Sequence, residues 1–437
     1  MKITKNIKRR DFMKKSSLAI GGGVALSSLS FSKSVFASGT DQIKVGLVGC
    51  GGRGTGAAVQ ALKAGANIKL VAMADVFKEQ LDKSYTHIMA MEEIKGQVEV
   101  PEKNKFVGFD GYLKVIQESD VVLLATPPGF RPAHFEASVD AGKHVFMEKP
   151  LACDGPGLRK VLATGKKATQ KNLKVVVGLQ NRYDPGYTQM VEQIKEGKIG
   201  EILSSTCYYM KGSYKVVPRS SVNSELAFQI KNWHFFNWLW GAAPAGLQIH
   251  NTDIVHWAKG AYPVSAQGMG GRAVLDGPDT GEVFDHFYIE YLYADGTTMH
   301  SQIRVMDNTW NKNGTFFIGS KGTANVNKGI KDLSGNKIWK YRDKENLNPY
   351  QIEHDKLFEA IVNDTPINDT EFGAKSSLAA IMGRMACHSG QVVTWEDCLN
   401  SEVKLSPDNM DWDTTAPILP DENGIYPVPK PGISKVY

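Results

Sequence analysis

The stretch IKVGLVGCGGRG, residues 43–54, restricts the fold more than any other part of the chain. Ile43 to Val48 is a short apolar run of the buried-strand type. Gly49, Gly51 and Gly54 follow in G-x-G-x-x-G spacing, residues 55–65 read as a helix, and IKLVAMAD is a second apolar run ending on Asp75. Glycines between strand and helix permit a tight turn and close backbone approach to a pyrophosphate, whose charge then lies at the helix N-terminus. An acid about twenty residues further on completes the pattern and suits the ribose hydroxyls. Its carboxylate repels a 2′-phosphate. Gly49, Gly51, Gly52, Arg53, Gly54 and Asp75 therefore predict a site for NAD, with NADP disfavoured.

The alternation continues through KFVGF (105–109), DVVLLATPP (120–128), KHVFMEKP (143–150) and KVVVGLQ (174–180), separated by helix-length segments. Continuous apolar runs of this kind fit parallel strands covered on both faces. Ligands bind beyond the carboxyl ends of such strands. That places Thr126, Pro127 and Pro128, then Glu148, Lys149 and Pro150, then Gln180, Asn181 and Arg182 along one rim with the glycine loop.

From Gly200 the period changes. Longer alternating strands are expected at 201–211, 263–274, 284–293, 297–305 and 314–327, with hairpin turns at Ala294-Asp295-Gly296 and Gly319-Ser320-Lys321-Gly322. The predicted fold is α/β: an N-terminal dinucleotide-binding domain over 38–180, then an α/β domain over 181–400 with a large, mostly antiparallel open sheet. Helices near 349–364 and 372–389 are expected to pack back on the first domain. A proline-rich tail, 401–437, is expected to be extended. Between the sheet strands, NWHFFNWLWGAAPAGLQIHNTDIVHWA leads into a helix over Ile249–Lys259, on which His250 and Asp253 share a face. Trp233, Phe235, Phe236, Trp238 and Trp240 are mostly core residues by expectation, with Trp233 offered to substrate; His234 and His256 read equally well as surface or supporting residues.

The N-terminus reads KRRDFMKKSSLAIGGG, and Arg9, Arg10, Phe12 and Lys14 fill the R-R-x-F-x-K pattern of a twin-arginine export signal. The run Leu18 to Phe31 is too short and too polar for a good spanning helix. Cleavage after Val35-Phe36-Ala37 would remove residues 1–37, giving a periplasmic protein without stable membrane insertion. Of 51 Lys and Arg and 46 Asp and Glu, that segment holds eight bases and one acid, so the remainder carries 43 and 45. A net charge near −2 offers nothing to a nucleic acid. Five scattered cysteines without C-x-x-C suggest neither a disulfide framework nor a zinc site, though one pair stays open; no metal is expected from the histidine spacing.

Glycine loop, acid, A-T-P-P, E-K-P and H-N-x-D-I-x-x-W together resemble the glucose-fructose oxidoreductase and inositol dehydrogenase family (Gfo/Idh/MocA) over roughly residues 43–400. The resemblance implies oxidation or reduction of a sugar, polyol or glycoside at a carbinol carbon, with a homo-oligomer as the expected assembly. It assigns Lys149 and His250 to proton transfer, and adds Thr126, Pro127, Glu148, Lys149 and Gln180 to the cofactor site. Lys149, Arg182, Trp233 and His250 would face substrate. His titrates near ~6.5, whereas Lys starts near ~10.4 and must be lowered, so His250 is the expected base and Lys149 the polarising partner. Dehydrogenases of the family often carry an aspartate four residues before this histidine. Gly246 stands there, which leaves the orienting role to Asp253, Gln248 or another group. Two alternatives remain at this point: an NAD-holding hydrolase-like enzyme working by transient oxidation and elimination, and a non-catalytic sugar-binding protein.

Overall fold

The computed structural model describes residues 42–326, 328–342, 346–407 and 410–437. The twin arginines and the cleavage site lie outside the described residues. Six parallel strands form the first sheet: β1 (Ile43–Val48), β2 (Ile68–Asp75), β3 (Lys105–Val107), β4 (Val121–Leu124), β5 (His144–Met147) and β6 (Val175–Val177). Their order is β3-β2-β1-β4-β5-β6. The order reverses direction between β1 and β4, so the crevice at their carboxyl ends is the natural ligand position. Val45, Leu47, Val121, Leu123 and the whole of β6 are buried, as expected for strands covered on both sides.

The second sheet has nine strands: β7 (Ile202–Lys211), β8 (Ser265–Gly271), β9 (His286–Leu292), β10 (Thr298–Val305), β11 (Lys312–Gly319), β12 (Gly322–Asn325), β13 (Gly329–Asp332), β14 (Lys337–Trp339) and β15 (Val393–Thr394). The order is β14-β13-β12-β11-β7-β10-β9-β8-β15. Only β7 and β10 pair in parallel, so the sheet is mostly antiparallel. The expected strand at 314–327 is a hairpin, β11 and β12, turning at Ser320 and Lys321.

Two late helices tie the halves together. Pro349–Val362 lies against Gly52–Lys63, where Gln351 Nε2 donates to the Gln60 carbonyl and Arg53 Nη2 to Glu353 Oε1 at 3.1 Å. Thr370–Ser389 is buried along most of its length and contacts both β8 and the helix Gly155–Gln170. The tail is extended but anchored. Leu405 N donates to Asp154, Ser406 Oγ to the Trp238 carbonyl, and Tyr426 lies buried with its hydroxyl on Glu225 and Arg219. All five cysteines are buried and unpaired. Among the described residues no three His, Cys, Asp or Glu side chains gather as a metal site would need, and no helix is long and apolar enough to cross a membrane.

Candidate active site

The crevice between β1 and β4 opens into a cavity of about 640 Å³, a size that suits a small-molecule or cofactor site. Gly49, Gly51, Gly52, Arg53, Gly54, Asp75, Thr126 and Pro127 line it. Gly49 has φ +92°, and a Cβ there would lie 2.7 Å from the Thr126 nitrogen, so only glycine fits the turn. A Cβ on Gly51 or Gly52 would meet no protein atom within 4 Å. That open cradle sits at the N-terminus of the helix Gly52–Lys63, which has no side-chain cap and so presents free N–H groups to an anion. Asp75 accepts from Cys50 N at 2.7 Å and Phe77 N at 2.9 Å. Each oxygen keeps a lone pair for a ribose hydroxyl. These observations fit NAD.

Part of the lining comes from elsewhere in the chain. Phe77, Phe109, Tyr112 and Phe130 form an aromatic wall, and Val217, Ile230, Lys231, Trp233 and His234 enter from the second domain. Lys231 Nζ pairs with Glu79 Oε1 at 2.8 Å across the two domains. From the tail, Trp412 packs on Phe109 and Phe77, with ring centroids 4.8 and 5.8 Å away. No local pattern marks Lys231 or Trp412; only the folded chain brings them to the rim.

Arg53, at the cavity wall, is held by two carboxylates. It binds Glu148 and Glu353, and its guanidinium lies over Phe146 and Tyr350. Burial, and then the nearby Glu148, hold the Glu353 carboxyl well above its usual range. Glu148 is thus a buried partner of Arg53 and does not line the cavity. Gln180 is also off the lining, buried with its Oε1 unpaired among the described residues.

Lys149 and His250 are off the lining too, but they come together across about a hundred residues of sequence. Lys149 Nζ donates to the Gly246 carbonyl at 2.7 Å. Burial pushes its pKa down to about 8, with Arg131 and Arg53 acting in the same direction and Glu148 opposing. Among the described residues His250 Nδ1 is buried without a partner, and Asn181 Nδ2 donates to the His250 carbonyl at 3.2 Å. Burial first, and then the Lys149 charge, hold the His250 ring well below the ordinary histidine range.

Gly246 explains its own identity. It lies in a π-helical turn, Pro244–Gln248, and a Cβ there would fall 1.8 Å from Trp240 Nε1. The indole fills the space that an aspartate side chain would need. Gln248, one candidate orienter, is buried and bonded to Ser301 Oγ and Asn251.

The expected pairing of His250 with Asp253 is not formed. Asp253 receives both Arg182 Nε and Nη2 at 2.8 Å, and Ser376 Oγ at 2.6 Å. A bidentate, charge-assisted pair outweighs a shared helix face. It also occupies Arg182, which packs on Phe372 and Trp257 and holds the helix Ile249–Lys259 in place. Arg182 and Asp253 therefore support the site from behind. His256 bonds Tyr293 Oη in the core, while Trp233 and His234 reach the cavity.

Comparison with known proteins agrees with this geometry. Residues 43–179 match the Gfo/Idh/MocA family model, described as an oxidoreductase family with an NAD-binding Rossmann fold. The chain is 30% identical over 156 residues to an inositol 2-dehydrogenase/D-chiro-inositol 3-dehydrogenase of Shouchella clausii, covering 34% of this chain and 36% of that protein. It is 26% identical over 223 residues to a glycosyl hydrolase family 109 protein of Shewanella baltica, covering 47% and 46%. The matches thus span about a third to a half of these curated relatives. The whole fold is similar to scyllo-inositol dehydrogenase from Lactobacillus casei, solved with NAD(H) and scyllo-inositol. That likeness has TM-score 0.59 and 22% identity, over 81% of this chain and 99% of that one. Residues 43–179 are thus similar to the NAD-binding domain of Gfo/Idh/MocA proteins.

Proposed function

We propose that the chain is an exported, NAD-dependent oxidoreductase acting on a hydroxyl carbon of a sugar, polyol or glycoside. The observation that carries this reading is the glycine-loop cavity lined by Asp75 and His234, with the Lys149 charge close enough to act on His234. Bound NAD would supply the hydride acceptor or donor. The protein's part is to hold the substrate and move the hydroxyl proton. Lys149, with a pKa near 8, suits that transfer better than His250, whose ring stays neutral far below working pH. On this reading the base role passes from His250 to Lys149, whose Nζ donates to the Gly246 carbonyl.

The clasp over the cavity bears on export. A protein outside the cytoplasm meets little free NAD, so it must fold around the cofactor, cross by the folded-protein route and keep what it holds. The Lys231–Glu79 pair joins two residues of the cavity lining, and Trp412 packs on two others, Phe77 and Phe109, which supports retention. Exported protein should carry near-stoichiometric nucleotide after dialysis, and a substrate sugar should reduce it once unless a carbonyl acceptor is added. Trp412→Ala should release nucleotide several-fold faster, since such aromatic contacts contribute about 0.5–1.5 kcal/mol. Protein that emerges empty and turns over steadily on added NAD overturns the retained-cofactor part. The family 109 relative favours one second reading, transient oxidation with loss of an aglycone. Release of nitrophenol from a nitrophenyl glycoside without net NADH would select it.

A further inference from the structure

His234 stands on the short turn Trp233–Phe235 and lines the nucleotide cavity beside Trp233. Three aromatic rings fix its plane. Tyr214 stacks on it at 3.8 Å between centroids and 16°, Trp233 lies 3.7 Å away, and Trp240 meets it at 5.4 Å and 75°. The same Trp240 indole lies against Gly246, whose carbonyl holds Lys149. The His234 clamp and the Lys149 anchor therefore share one side chain.

Several other histidines, His134, His256 and His354 among them, have a polar partner for one ring nitrogen, whereas His250 Nδ1 and His388 Nε2 do not among the described residues. His134 Nδ1 bonds Thr126 Oγ1, His256 Nδ1 bonds Tyr293 Oη, and His354 Nδ1 bonds the Tyr350 carbonyl. Among the described residues neither ring nitrogen of His234 has such a partner. His234 is only part-buried and lines the cavity, so its ring is open to a ligand that fills the cavity. Burial, then the charges of Lys211 and Lys149, push its pKa down to about 3. The ring is neutral at working pH and carries one donor and one acceptor nitrogen. A hydroxyl group offers the complementary pair, and an anion does not.

Resting on the sugar-oxidoreductase reading, we propose that His234 is a substrate-recognition residue. One ring nitrogen hydrogen-bonds a hydroxyl beside the carbon that faces Lys149, and the aromatic clamp sets the angle. The ring therefore selects which carbon of a polyol is presented.

The test compares wild type with His234→Phe, which keeps the stacking, and His234→Asn, which keeps a hydrogen-bonding amide. The probes are myo-inositol, D-glucose and their monodeoxy derivatives. His234→Phe should raise KM about ten- to a hundred-fold for the parent compound while retaining bound nucleotide. One deoxy derivative should be poor for the wild type, and His234→Phe should no longer distinguish it from its parent. His234→Asn should recover part of the loss. Unchanged KM and unchanged discrimination in an active His234→Phe overturn the proposal, as does loss of bound nucleotide with KM unaltered, which would give the ring to the cofactor. A nucleotide-loaded wild type inert to every probe overturns the oxidoreductase reading instead.

Discussion

The glycine-loop cavity and the neighbouring Lys149 cluster are built by opposite means. At the first, one continuous stretch from Ile43 to Asp75 supplies turn, helix terminus and acid, and backbone groups do most of the binding. At the second, single residues at positions 149, 234, 246 and 250 lie close together, and their places depend on neighbours such as Trp240. The first end tolerates little change of backbone and the second little change of packing.

Lys149→Ala should sharpen this contrast most. Turnover should fall by about 10²–10⁴, the usual range for a positioned proton-transfer group, with fold and bound nucleotide kept. The wild-type pH profile carries the sign. Lys149 accepts the hydroxyl proton only when neutral, so oxidation should rise as pH rises through about 8, and reduction should fall over the same interval. His250 should add no ionisation near neutral pH, because burial and then the Lys149 charge hold its ring neutral there. A profile with a histidine-like limb near neutral pH that His250→Asn abolishes would return the base role to His250.

Asp75→Ala should come next. It removes a ribose acceptor and also frees Cys50 N and Phe77 N. NAD affinity should drop by roughly ten- to a hundred-fold, as expected for hydrogen bonds to a charged group, and discrimination against NADP should relax. Titration of nucleotide-depleted protein with both nucleotides measures this. Equal preference before and after the substitution would break the assignment of β2.

Gly246→Ala tests the packing end. The added methyl must displace the Trp240 indole or shift the turn, at a cost of about 1–3 kcal/mol in stability. Because Trp240 also borders His234, KM should rise together with the loss of stability. A variant with unchanged melting temperature and kinetics would show that the turn adapts freely and that the two anchors are not coupled.

The difference between the two ends also governs what could be read from residues alone. The strand, glycine loop and acid are local, so spacing and period suffice, and all six cradle residues named from the sequence line the cavity. Lys149 and His250 were legible only through short motifs. The spacing of His250 and Asp253 proposed a pair, but Arg182 and Ser376, far away in sequence, claimed the carboxylate. Likewise Glu148 belongs to Arg53 and Glu353, a triad that joins three distant segments.

By itself the sequence determined the parallel sheet, the nucleotide cradle, the switch to an antiparallel sheet near Gly200 and the absence of Asp at position 246. Those properties follow from hydrophobic period and from backbone freedom at glycine, which act over a few residues. Only the tertiary structure decided that Trp240 fills the place beside Gly246, that Trp412 returns over Phe77 and Phe109, and that His234 faces the cavity without a partner. Those outcomes come from competition among distant groups for a limited number of charges, hydrogen bonds and packing spaces, and that competition is settled only when the chain is closed on itself.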